Sequence, residues 1–513
     1  MAFQAGDMVS LDQVLQDRRV AVVKAKMQYC FTPPFDPSDQ FPEYDGQVGR
    51  EDNPGYWAVR EAFRVLGYDE ANFGTSLWNP LENLIKPGET VVVKPNWVCH
   101  KNLGERAYGL TDVDSLITNG SILRAVLDYV CIALKGSGKV VIGDSPIQNA
   151  DWEMLIRIAG ASEIIDSLHF RFPEIRFELK DFRLECAIVR GNRIVEKSKR
   201  SIDTEDYIEV DLKGESMLVP LMLDREYSFG VANYPKHKMT YAHSRDRNVY
   251  LFPREILEAD VFLNLSKVKT HMKGGITCAL KNLFGVIGMK DYLPHFRFGS
   301  PKQNGDEYPD GNWLWDIRWW FVHEEWGRDS GFVKFLLWHV GRVCGLGLRV
   351  FYKYPRNYWS LAGGGWFGND TLWRTILDVN RAFFYYDRTT GAIQLNPSKS
   401  IRYLVIADGL VGGHEESPLC PTPKKLGLIL VATNPVALDA VTAALIGFDI
   451  YNILQIYKAF SIDKYPLVAF QPEEIEILGL KDVKRINDVY KKRIFVPFEP
   501  SSGWKGHIEY SRG

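Results

Sequence analysis

The sequence predicts an α/β protein: a mostly parallel sheet core with helices on both faces, a β-rich elaboration and a Trp-rich helical insert. Three observations predict it. Short β-branched runs end in polar residues five times, as KPN at 94–96, GDSP at 143–146, SKVKTH at 266–271, ADG at 407–409 and TNP at 433–435. The runs are almost continuously apolar, as strands covered on both faces must be. One of them, TVVV at 90–93, leads through the helix-like stretch SILRAVLDYVCIAL at 121–134 to KVVI at 139–142, the spacing of a βαβ unit.

The elements follow in order. The first strand is VAVVKAK at 20–26, and a Lys-Pro-Gly turn at 86–88 introduces TVVV. With the βαβ unit these make residues 1–169 the N-terminal half of the core. Residues 170–255 change character: RFELKDF and ECAIVRGNRIVEKSK alternate, the second with a Gly-Asn turn inside it, which is antiparallel hairpin chemistry. The α/β pattern returns with DVFLNL at 260–265, then a helix over 276–287, strands at 403–407 and 428–432, and the helix VALDAVTAALIG. Segments 256–295 and 401–480 thus form the second half of the core. Between them lies an insert, 296–400, with nine of the fourteen tryptophans, and 481–513 reads as a C-terminal tail.

Composition narrows the function. Lys+Arg 62 against Asp+Glu 64 argues against nucleic-acid binding through bulk charge. The start, MAFQAGDMVSLDQVLQDRRV, lacks the apolar run of a signal peptide. Seven scattered cysteines include no CxxC pair and no ferredoxin spacing, so a reducing, cytoplasmic setting and no built-in iron–sulfur cluster are expected.

Ligands of open parallel sheets bind outside the carboxyl ends of the strands. The polar strand ends therefore nominate Lys94, Asn96, Asp144, Lys267, Lys269, His271, Asp408 and Asn434 for one crevice. In KVKTHMKGGITCALKNLFG, Gly274 and Gly275 precede the expected helix, whose free N–H groups and partial positive charge favour an anion. Thr270, Lys281 and Asn282 stand beside them, so a small anionic ligand is expected, with no Walker sequence present. His271 is the acid/base candidate, with Asp144 and Asp408 as its partners. His237, His243 and His271 are candidate ligands for a divalent or transition metal, although no HxxxH pair exists. In the insert, Asn369 and Asp370 both border a glycine run that lets backbone approach a ligand and precede the helix TLWRTILDVNR. In Phe332–Lys353 the charges Lys334, Arg342, Arg349 and Lys353 fall within about 100° of helical wheel. That segment reads as a buried helix with one wet stripe; an interfacial helix at the inner face of a membrane and a subunit contact are the alternatives.

TVVVKPNWV, VVIGDSP, EADVFLNLSKVKTHMKGGITCALKNLFGVIG, VIADGLVGGHE and ILVATNPVALDAVTAALIGFD closely resemble the domain-of-unknown-function 362 family, in the right order from about residue 90 to 460. Some members carry an appended ferredoxin segment, whose cysteines this chain lacks. The long form with a GNDTLWRTILDVNR-like insert resembles members found in bacterial surface-polysaccharide gene sets. Together with the lysines, this makes an enzyme acting on a phosphorylated or nucleotide-linked sugar the first expectation. A metal- or redox-dependent isomerase or oxidoreductase with a separate electron-transfer partner is the second. A non-catalytic scaffold of glycan assembly is the third.

Overall fold

A computed structural model describes residues 10–511 apart from 106–108, 191–192, 201–203, 223–227, 233, 235, 310–312, 327–330 and 353–360. Nine strands form the central sheet: β1 (Arg19–Lys24), β2 (Thr90–Pro95), β3 (Gly138–Asp144), β4 (Ile175–Asp181), β5 (Val261–His271), β6 (Gly275–Thr277), β7 (Arg402–His414), β8 (Thr422–Ala432) and β9 (Glu476–Leu478). Their order is β9-β1-β8-β7-β5-β2-β3-β4, with the short β6 folded back on β5. β7, β5, β2, β3 and β4 run parallel to their neighbours, while β8 is antiparallel to both β7 and β1. The sheet is therefore mostly parallel.

Period-two alternation sends successive side chains to opposite faces. Val91 and Val93 of β2, with Val261, Leu263 and Leu265 of β5, pack on one face against helices α1 (Pro54–Val65) and α2 (Gly120–Leu134). Val92 and Phe262 pack on the other against α3 (Ala279–Leu283), α6 (Leu372–Phe384) and α7 (Pro435–Leu445). The insert supplies α6 and a helical hairpin, α4 (Trp313–Trp326) and α5 (Phe332–Tyr352), whose aromatic cluster of Tyr308, Trp315, Trp319 and Leu348 is separate from the main core.

Two expectations change. RFELKDF belongs to the core sheet: its strand is the parallel edge strand β4, and hairpin pairing starts only at Glu185–Arg190 with Arg193–Lys199. Half-burial at a sheet edge gives the same alternation as a hairpin does. Gly274 and Gly275 do not open a helix. The chain turns there into β6, paired antiparallel with β5 by His271 opposite Gly275, and Gly275 has φ +82°, which a side chain would strain. The C-terminal tail is packed, since Phe498, Trp504 and Ile508 lie in the core and the Trp504 indole donates to the Met272 carbonyl at 2.6 Å.

Candidate functional site

The strand order reverses between β5 and β2, because β2 leads on to β3 and β4 while β5 leads to β7 on its other side. Such a switch point leaves a crevice at the carboxyl ends of the strands. A cavity of ≈ 200 Å³ lies there, lined by Asn96, Asp144 and Ser145 from the ends of β2 and β3, by Lys269, His271, Lys273 and Thr277 from the β5–β6 hairpin, and by Lys281, Asn282, Lys290 and His295 beyond it. Four lysines and two histidines thus share a space with one carboxylate.

That carboxylate is already engaged. The fully buried Lys94 ammonium lies 2.7 Å from Asp144 Oδ1 and also donates to Asn282 Oδ1 at 3.0 Å. The Trp97 and Ser145 amides donate to Asp144 as well. Asn96 Nδ2 donates to the same Asn282 oxygen at 2.7 Å, and Asn282 Nδ2 donates to Asn264. Lys94 therefore neutralises and positions the wall of the cavity from behind it.

None of the lining lysines forms an ion pair among the described residues, although Glu307 partly offsets the effect of burial on Lys273, and Asp144 that on Lys269 and Lys290. Lys269 Nζ donates only to the Leu116 carbonyl, at 2.6 Å, Lys290 donates to the Ser145 carbonyl, and Lys281 lies over the Phe284 ring. Burial pushes Lys269 and Lys281 well below the ordinary lysine value and Lys273 and Lys290 down to about 8, the neighbouring cations adding to the shift in Lys269, Lys281 and Lys290. Two further polar atoms, Asn96 Oδ1 and Thr277 Oγ1, are buried beside the cavity with no hydrogen-bond partner among the described residues. Buried polar groups are nearly always paired, so each calls for a donor or acceptor from outside the chain.

The two histidines are complementary. His271 Nδ1 accepts from the Lys273 and Gly274 amides, both at 3.1 Å, so its proton sits on Nε2. His295 Nδ1 lies 2.7 Å from the Leu293 carbonyl, which can only accept, so Nδ1 carries the proton and Nε2 is a free base. Burial first, then the surrounding lysines, hold both imidazoles well below their usual value and therefore neutral.

Of the residues nominated from sequence, Asn96, Asp144, Lys269, His271, Lys281 and Asn282 line this cavity and Lys94 supports it. Lys267 and Asp408 do not. They form a second, fully buried pair at 3.0 Å, completed by the Tyr29 hydroxyl, which donates to Asp408. The register between β5 and β7 shifts between Lys267 and Lys269, which separates the two lysines. Thr270 is tied to the Glu415 carbonyl. Gly274 and Gly275 shape the hairpin instead of presenting a helix end, and the free amides that do open α3, Ala279 and Leu280, are capped by Asp439.

Asn369 and Asp370 also lie outside the lining. Asn369 Oδ1 accepts from the first amides of α6, and Asp370 accepts from Trp373 and Arg374. Asn434 sits at the opposite end of the strands, because β8 is antiparallel; it caps α7. His243 is buried among Phe229 and Tyr250, its ring lowered to about 4 by burial, and His237 has its backbone in a helix over Lys236–Ala242 while its side chain is outside the described residues. Among the described residues no three His, Cys, Asp or Glu side chains are placed to hold a metal. Sequence reasoning nominated none of Thr277, Lys290 and His295 for the lining.

Residues 229–444 match the model of a family described as a domain of unknown function, DUF362. The chain carries a DUF362 domain. The cavity straddles its boundary, with Lys269 to His295 inside the match and Asn96, Asp144 and Ser145 outside it. No curated protein matches the chain. A Thermotoga maritima protein solved by structural genomics is similar at 12% identity, over 72% of this chain and 54% of that one, with a TM-score of 0.29. The chain thus spans about half the length of that structure.

The DUF362 cavity has a defined pH behaviour. The unfolded chain keeps Lys273 and Lys290 protonated up to about 10.4, while the folded protein releases those protons from about 8. Between these values the unfolded state binds more protons, so stability of the free protein rises with pH. An anion bound there would reverse the depression, so its binding at pH 8 would take up protons and its affinity would fall as pH rises further. Calorimetry of phosphate-ester binding in Tris and in HEPES measures this uptake as a buffer-dependent enthalpy. An enthalpy equal in both buffers would contradict it.

Proposed function

We propose that the DUF362 cavity binds a small phosphorylated molecule and that the protein is an enzyme using the His271–His295 pair for proton transfer. The observation that carries this is the set of four lysines around one cavity that form no ion pair with a carboxylate among the described residues, Lys269 fully buried and the other three partly so. Such an arrangement is costly until an anion fills it. A phosphate ester supplies charge for Lys269 and Lys281 and acceptor oxygens for the Nε2–H of His271. His295 Nε2 is the base, and the lysines would stabilise negative charge developing on the substrate.

At ≈ 200 Å³ the cavity is smaller than the roughly 300–1,000 Å³ of a site that encloses a drug-sized ligand. It accommodates a small phosphate ester, or the phosphorylated end of a larger molecule, better than a whole nucleotide sugar. That the ligand is a sugar, in surface-polysaccharide biosynthesis, rests on the likeness of the Trp-rich form to members in such gene sets.

The test compares a hexose phosphate with the free hexose by calorimetry. The ester should bind and the free sugar should not; equal affinity for the two would sink the reading. Exchange of ligand protons with D2O, followed by NMR, should occur with the wild type and be lost in His295→Gln while binding is kept.

A further inference from the structure

The hairpin of α4 and α5 buries an ion pair beside its apolar cluster and turns much of its apolar surface outward. The Lys334 ammonium of α5 is buried against Glu325 of α4, 3.6 Å away, and the Glu307 carboxylate receives His323 at 2.8 Å. Apolar side chains take the outside. On α5, Phe332 is 77% exposed and Val343 68%, and Phe335, Leu336, Leu346 and Val350 are exposed with them. Their spacing, i, i+3, i+4, i+11, i+14 and i+18, makes one stripe about 27 Å long at 1.5 Å per residue. Trp313 and Trp320 are exposed on α4.

A water-exposed helix has the opposite polarity, so this stripe needs an apolar covering. The charges say which. With Lys334 spent on Glu325, the remaining charges of α5 are Arg342, which is exposed, and Arg349, with no Asp or Glu. A second copy laid against this helix would meet its own sign of charge, whereas anionic headgroups complement it. Exposed Trp side chains suit the headgroup level. No helix among the described residues is long and apolar enough to cross a membrane. We propose that α5 lies in the plane of an anionic lipid bilayer, with its apolar stripe at the boundary between headgroups and acyl chains, and that the hairpin anchors the protein there without spanning.

Beyond the hairpin, the path to the cavity is short. His323 of α4 packs edge-on against Phe298 with ring centres 4.4 Å apart, and the neighbouring Phe296 ring lies under the cavity's Lys273, 5.6 Å from its ammonium. Anchoring by the hairpin would hold the cavity close to the bilayer surface.

The experiment is flotation of the full chain with vesicles of phosphatidylcholine alone and with about one third phosphatidylglycerol. The protein should float with the anionic vesicles and far less with the neutral ones. Because Leu336 and Leu346 are exposed, Leu336→Asp and Leu346→Asp should fold; each should lower partitioning by about tenfold or more. Tryptophan fluorescence of the wild type should be quenched by brominated acyl chains, a readout that needs no variant. Absence of both flotation and quenching would overturn the proposal. So would a dimer, measured by light scattering without lipid, that the same substitutions convert to monomer while vesicles leave the wild type unbound.

Discussion

Replacing Lys269 and Lys281 together by methionine should weaken binding of a hexose phosphate by about 100-fold or more. A hydrogen bond from a charged donor is worth about 1.5–3 kcal/mol, and 1.4 kcal/mol is a factor of ten, so two lost contacts reach that range. The same double variant should unfold in urea within about 1 kcal/mol of the wild type, because removing the desolvated ammonium groups offsets the loss of the bond to the Leu116 carbonyl and of the Lys281 contact over the Phe284 ring. The opposed readouts separate a binding role from a structural one. Unchanged affinity would remove these lysines from the site, and a large loss of stability would mean that they hold the fold.

Lys94→Met should have the largest effect on stability, a loss of about 3–5 kcal/mol. Breaking one side of a buried ion pair leaves the other charge stranded, and that penalty is of this size. Asp144 would keep the Trp97 and Ser145 amides and lose its cation, and Asn282 Oδ1 would lose one of its two donors. Removing the stranded charge as well, in Lys94→Met with Asp144→Asn, should recover more than half of the loss. Urea denaturation of the two single variants and the double variant measures the coupling. Single-variant losses that simply add would mean that Lys94 and Asp144 act independently.

These two lysine sets look alike in the sequence, as polar residues closing an apolar run. What separates them is where the partner comes from. Lys94 meets Asp144 because β2 and β3 are neighbours, and Lys267 meets Asp408 because β5 and β7 are. Lys269, two residues further along β5, passes a register shift and reaches a place with no carboxylate beside it. Pairing across a sheet is a long-range matter that local pattern does not encode.

The sequence by itself determined the elements and the class of the fold. Uninterrupted β-branched runs, a helix at βαβ spacing and a Gly-Asn hairpin turn are local signals, because backbone sterics and burial period act over a few residues. It also determined that lysines and a histidine cluster around one segment, which was enough to expect an anion. Tertiary structure alone decided strand direction, and with it that Asn434 caps a helix at the far end of the strands. Only the tertiary structure turned Gly274 and Gly275 into a hairpin, capped α3 with a carboxylate 160 residues away, and brought Lys290, Thr277 and His295 into the cavity. It decided as well that the apolar stripe of α5 faces outward, since helical periodicity distinguishes two faces of a helix but not which of them meets the protein.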